Sequence, residues 1–296
     1  MTTWPDPDVA AGLAAVGQAQ PLVHCLTNIV VAGFTANVLL AIGASPAMVE
    51  NAEESAAFAS IAGAVLVNLG TLSEERDRAM LAAAAGAHDG GRPWVLDPVA
   101  VGALEHRTAL ARRLLEHSPA IVRGNASEIM SLAGVTGSAG RGVDSVAGSV
   151  DAVDAASALA RERGTVVAVS GAVDYVTDGQ EVVEVPGGHL MMTRVTGVGC
   201  ALGGMMAAFA GAGADPMRAA AGASAVLAAA GQRAASPAGA SSGAVPGPGS
   251  FAVRLLDELW DLAAAASDSA AAVSSSGAGA SPAATAPGYP APDQQR

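Results

Sequence analysis

The chain has 296 residues, of which 51% are hydrophobic, and a net charge of −12. That length and apolar content suffice for one large buried core, and the acidic balance excludes a surface of clustered basic residues for nucleic acid or an anionic membrane. All 15 basic residues are arginine, which also excludes a P-loop lysine, a protein-kinase strand lysine and Schiff-base chemistry.

Cys25 and Cys200 are too few for a disulfide framework or a cysteine zinc site, and suit a reducing cytoplasm. The opening "MTTWPDPDVA" has neither the basic n-region nor the apolar h-region of an export signal. "PLVHCLTN" predicts a strand and turn, "GFTANVLLAIG" a helix stopped by Gly43, "PAMV" a second strand, and 52–62 a helix. Four apolar runs follow, "AVLVNLG", "PWVLDPV", "AIVRGN" and "TVVAVSG", separated by helical stretches at 73–87, 103–117 and 146–163. Such alternation predicts an α/β fold with a mostly parallel sheet covered by helices on both faces.

"DYVTDGQEVVEV" predicts an antiparallel hairpin turned at Asp178-Gly179. From Ala201 three helices are expected to close a single domain, 1–262; the apolar segments 201–214 and 219–231 are Ala/Gly-rich and broken by "DPMR", so they read as buried helices rather than membrane spans. The Ser/Ala/Gly/Pro tract 263–296 lacks apolar periodicity and predicts a disordered tail, and "SPAGASSGAVPGPGS" predicts a loop before the last helix.

The parallel runs end in Asn68, Asp97, Arg123 with Asn125, and Ser170 with Gly171, so polar groups gather beyond the carboxyl ends of the strands, where ligands bind in such sheets. In "RVTGVGCALG", Gly197 and Gly199 can turn backbone N–H groups toward an anion at the start of a helix near Cys200. The same residues also read as a plain glycine turn, or, with Gly203, as G-x-G-x-x-x-G, although no strand runs directly into it as a dinucleotide fingerprint requires.

In "RGNASEIM", Asn125 and Glu128 have capping-box spacing; Glu128 can also organise water around Mg2+ while Arg123 binds phosphate. Asp97 in "LDPV" reads as a metal ligand or a turn cap, and Ser170 as a phosphate contact or a turn residue. His24, Cys25 and Met48 read as packing residues, Met48 alternatively as a pocket wall.

Taken together, "VHCLTN", "ANVLLAIGASPAMVENAEE", "VLVNLGTL", "WVLDPVAVGA", "IVRGNASEI", "VAVSGAVDYVTDG" and "RVTGVGCALG" resemble the hydroxyethylthiazole kinase family, in that family's order and over roughly Val9 to Leu262. The resemblance implies a ribokinase-like three-layer sandwich. It also implies Mg2+-dependent transfer of the ATP γ-phosphoryl group to the primary alcohol of 5-(2-hydroxyethyl)-4-methylthiazole, a step of thiamine salvage. Position by position it makes Met48 and Gly197 substrate contacts, Asn28 part of the thiazole pocket, Arg123 and Ser170 ATP contacts, Asp97 and Glu128 the acidic metal region, and Cys200 the active-site cysteine.

A homotrimer with sites at subunit interfaces is implied as well. Ser170 stands where the family more often has Thr, and Val198 stands where it often has Thr, so an anion contact at Val198 must use backbone N–H. Related sugar and vitamin kinases carry Asp at the Cys200 position; a thiol at a helix N-terminus is expected to be partly ionised near neutral pH, with ATP phosphates opposing that charge. The alternatives are a kinase for hydroxymethylpyrimidine or pyridoxal, and a nucleotide-binding oligomer without turnover.

Overall fold

In the computed structural model, which describes residues 1–135, 148–236 and 245–277, the chain opens with helix α1 (Pro7–Ala19). Asp6 caps α1, and proline at its first position costs no hydrogen bond. Five strand and helix pairs follow: β1 (Leu22–Leu26) and α2 (Ala32–Ala41), β2 (Ser45–Ala47) and α3 (Ala52–Ile61), β3 (Ala64–Asn68) and α4 (Glu74–Asp89), β4 (Trp94–Asp97) and α5 (Glu105–Leu115), β5 (Ile121–Asn125) and α6 (Ala126–Leu132). A 3-10 turn at Ser149–Ala152 leads into α7 (Val153–Arg163), then β6 (Val166–Ser170), β7 (Val173–Thr177) and β8 (Val182–Pro186). Helices α8 (Val198–Gly211), α9 (Pro216–Ala235) and α10 (Pro248–Gly277) complete the described chain.

The strands form one sheet in the order β2-β1-β3-β4-β5-β6-β7-β8, parallel from β2 to β6 and antiparallel at β7 and β8. The central strands are apolar up to their carboxyl ends, yet their side chains still alternate between two cores. Leu66, Val95, Ile121 and Ala168 face α1, α2, α8, α9 and α10, whereas Val67, Leu96, Val122 and Val169 face α3 to α7. These are the two covered faces that the alternation of elements predicts. The expected hairpin turns at Asp178-Gly179: Gly179 has φ +92°, and Asp178 Oδ1 accepts from the N–H groups of Gln180 and Glu181 at 2.8 Å each.

One boundary differs from the sequence expectation. α10 does not stop at Leu262 but continues to Gly277, with Ala266 2% exposed and Ala270 packed against the core. Alanine is the strongest helix former, so an Ala-rich extension costs the helix little while one face still finds the core. The expected loop lies mostly at 237–244, the start of the 146–163 stretch at 146–147, and the rest of the expected tail at 278–296; all of these are outside the described residues. Among the described residues no helix is long and apolar enough to cross a membrane.

Candidate active site

Parallel register brings the polar strand ends together. β3 pairs with β4 so that Asn68 lies beside Asp97, and β5 pairs with β6 so that Asn125 lies beside Ser170. α8 starts directly over this rim because glycine lets it approach. Gly197 has φ +91°, and a Cβ there would fall 2.7 Å from Val31 Cγ1; a Cβ on Gly199 would fall 2.9 Å from an Arg123 guanidinium nitrogen. The loop expected to turn its backbone toward an anion therefore sits against the arginine expected to bind phosphate.

The residues at the rim are joined by hydrogen bonds. Asn68 Nδ2 donates to Asp97 Oδ2 at 2.6 Å, and Asn68 Oδ1 accepts from Gly70 N–H at 2.9 Å and from Asn28 Nδ2 at 3.0 Å. Asn28 Nδ2 also donates to Cys200 Sγ at 3.4 Å. Because the Gly70 N–H can only donate, it fixes which end of the Asn68 amide faces Asp97, and the polarity of the chain follows from Gly70 to Cys200.

Arg123 stands on the other side of Asp97, 3.6 Å from Oδ2, and donates through Nε at 3.2 Å and Nη2 at 2.9 Å to Ser170 Oγ. The Ser170 hydroxyl thus accepts from Arg123 and keeps its own hydrogen for another acceptor. Glu128 forms the capping box with Asn125: Oε2 accepts from Asn125 N–H at 2.8 Å, while Oε1 accepts from Ala100 N–H at 2.9 Å. Glu128 is therefore both the N3 member of the α6 capping box and a buried carboxylate near Asp97.

Burial governs the electrostatics. It pushes the Asp97 carboxyl up to about 7 even though the Arg123 guanidinium opposes it, and Glu128 adds to the rise. Burial, then the charge of Asp97, pushes the Cys200 thiol up to about 11, with Arg123 opposing. The expected partial thiolate is thus corrected: at neutral pH Cys200 is a thiol, since loss of water outweighs the start of α8. Burial also raises the carboxyl of Asp174, whose Oδ1 accepts from Gly171 N–H at 2.9 Å.

Of the residues singled out in sequence, Asn28, Asp97, Arg123, Ser170 and Cys200 share this network, Glu128 adjoins it, and Gly197 precedes the helix that covers it. Met48 lies just past β2 at the same rim, half-buried against the core, with no hydrogen bond tying it to the others. His24 and Cys25 are buried packing residues as expected. Sequence reasoning gave Asn68 and Asp174 no site role, although "VNLG" already placed a polar residue at a buried strand end.

A divalent cation fits the acidic pair. Asp97 Oδ1 is buried without a hydrogen-bond partner, and Glu128 lies close enough to act on its charge. Among the described residues no trio of His, Cys, Asp or Glu is arranged to hold a metal. Mg2+ keeps several waters and takes one or two carboxylates together with substrate phosphates, so a pair of carboxylates is a sufficient protein share for it.

The chain as a whole is similar to known proteins. The model of the hydroxyethylthiazole kinase family matches residues 13–265. A hydroxyethylthiazole kinase of Kineococcus radiotolerans is 55% identical over 255 residues, covering 86% of this chain and 90% of the relative. The solved structure of the hydroxyethylthiazole kinase protein from Pyrococcus horikoshii superposes with a TM-score of 0.77 at 37% identity, over 86% of this chain and 94% of that one. A ribokinase-like superfamily protein of Enterococcus faecalis, only 12% identical, shares the fold with a TM-score of 0.60 over 87% of this chain and 95% of that one. With its ribokinase-like sheet and a match along most of its length, the chain belongs to the hydroxyethylthiazole kinase family.

Proposed function

We propose that the chain transfers the γ-phosphoryl group of ATP to the primary alcohol of 5-(2-hydroxyethyl)-4-methylthiazole, as a cytoplasmic step of thiamine salvage. The observation that carries this reading is the convergence of Asn28, Asp97, Arg123, Ser170 and Cys200 on one rim under the start of α8, in a chain of this family. On the phosphate side, Arg123 supplies positive charge and Ser170 its free hydroxyl hydrogen, while the first N–H groups of α8 face the same space.

Asp97 and Glu128 would hold Mg2+, which when bound neutralises the phosphate oxygens. On the acceptor side, Asn28, Met48 and Gly197 border the alcohol. Asn28 donates to Cys200 Sγ, and a protonated thiol has its S–H left to orient the alcohol oxygen. Phosphoryl transfer through a loose transition state relies on in-line placement and charge neutralisation, so a strong base is dispensable.

Incubation of the purified protein with MgATP and a panel of hydroxyethylthiazole, hydroxymethylpyrimidine and pyridoxal tests the reading. The thiazole phosphate is the expected product. Preference for either other alcohol would reassign the substrate, and no ATP consumption with any of them would favour the nucleotide-binding oligomer. We further propose a homotrimer with the site at the subunit boundary: Ile29 and Val30, directly after Asn28, are 70% and 67% exposed, and Leu190 is 74% exposed. Light scattering on the same sample should give three times the chain mass.

A further inference from the structure

We propose that Arg76 and Glu50 form a clasp that holds together the two loops carrying Asn28 and Met48, and that this clasp positions the acceptor pocket from outside it. Arg76 projects from the first turn of α4. Its Nη1 donates to Glu50 Oε2 at 2.7 Å, and its Nη2 donates to the Thr27 carbonyl. Thr27 immediately precedes Asn28, and Glu50 lies two residues beyond Met48, so one guanidinium spans both loops. The arginine side chain is 13% exposed and the glutamate 35%, a setting in which a charge-assisted bond keeps more of its strength than at an open surface. Lysine offers no planar fork for two partners at once.

The clasp has a fixed base and a second anchor. α4 meets α3 backbone to backbone: a Cβ on Gly86 would come within 2.2 Å of Ala56 O. Glu75, next to Arg76, accepts from Ala52 N–H at 3.2 Å. From the sheet side, His24 Nε2 donates to the Val49 carbonyl at 2.7 Å while its ring stands edge-on to Phe58, centroids 5.0 Å apart. A carbonyl only accepts, so the hydrogen is on Nε2. Met48 is thus held between Ala47, paired with His24 in the sheet, and Val49, pinned by the His24 ring.

Neither Arg76 nor Glu50 belongs to the network around Arg123 and Ser170. Loosening the clasp should therefore affect acceptor binding and spare the nucleotide. The identity of the acceptor rests on the kinase reading; the clasp itself does not. Arg76→Gln is expected to raise KM for hydroxyethylthiazole about tenfold, the scale of one charge-assisted hydrogen bond. KM for ATP should stay within about twofold, because the clasp reaches Arg123 only indirectly, through Asn28, Asn68 and Asp97. Hydrogen exchange in the substrate-free protein should speed up at both loops, 27–30 and 48–51.

Glu50→Gln, which changes only the half-exposed end of the clasp, should give a smaller effect of the same pattern and serves if Arg76→Gln does not fold. The double reversal Glu50→Arg with Arg76→Glu restores an ion pair but leaves the Thr27 carbonyl without its donor, so it should not restore KM. The proposal is overturned if exchange rises at neither loop or at one alone, if both KM values rise together, or if the reversal rescues. Should the wild-type protein phosphorylate none of the panel alcohols, the acceptor assignment falls, and exchange at the two loops still decides the clasp.

Discussion

At Cys200 two influences oppose each other: the start of α8 favours an anion, while burial and the nearby Asp97 disfavour it. Burial prevails and pushes the thiol up to about 11. At pH 7 only roughly one thiol in ten thousand is then ionised. Turnover should accordingly show no rise between pH 6 and 8 that depends on Cys200, because the neutral thiol is the working form; a working thiolate with a value of about 11 would instead raise the rate about tenfold per pH unit across that range. Cys200→Ala should lower kcat about tenfold, an effect of lost orientation rather than a lost base, with KM for ATP unchanged. A rate that climbs with pH in the wild type and flattens in the alanine variant, with chemistry rate-limiting, would instead assign proton transfer to the sulfur. At this scale the sequence revealed which residues are polar strand ends, because in a parallel sheet these collect on one rim. It did not reveal that Asn68 bridges Asn28 and Asp97. That depends on the pairing of β3 with β4 across a whole helical crossover, which no local pattern encodes.

Among elements, the decisive contact is the crossing of α3 and α4, because Arg76 is only as well placed as the helix that bears it. Gly86 is buried in the last turn of α4, still within the helix, where alanine would ordinarily gain up to about 1 kcal/mol in helix propensity. Here the added Cβ would lie 2.2 Å from the Ala56 carbonyl oxygen, a backbone atom that cannot swing away. Forcing the helices apart costs about 3 kcal/mol. Gly86→Ala is therefore expected to destabilise the protein by about 2 kcal/mol net in denaturant titration, and an unchanged midpoint would mean the crossing is slack. Strands and most helices were legible because their apolar runs and breakers are local signals. Gly86 was not, since within an Ala-rich helix its role lies entirely in what packs against it. No sequence expectation covered α1, although Asp6, Pro7 and the spacing of Val9, Leu13 and Val16 carry the signature of a capped amphipathic helix.

Across the whole molecule, the face formed by α1, α2, α8, α9 and α10 is built from small residues. Phe209 of α8 reaches toward Gly12 of α1 and Gly222 of α9, either of which would place a Cβ 3.1 Å from its ring. Such a core leaves little apolar surface per residue, so each additional turn of α10 contributes. Leu255, Leu259, Leu262 and Ala266 are spaced at four, three and four residues and all are buried, which carries the stripe past the composition change at 262. Composition misplaced the boundary because a solvent-like Ala/Ser sequence can still present one buried face. Truncation after Leu262 removes Ala266 and Ala270 from the core and exposes the end of the Leu259–Leu262 turn, at an expected cost of about 1–2 kcal/mol. Truncation after Gly277 keeps the whole of that buried stripe and is the reference for the shorter chain. The pair of truncations, melted side by side, decides the point: equal Tm values would show that 263–277 adds nothing to the fold, whereas a drop only in the shorter chain places the end of the cooperative unit beyond Ala266.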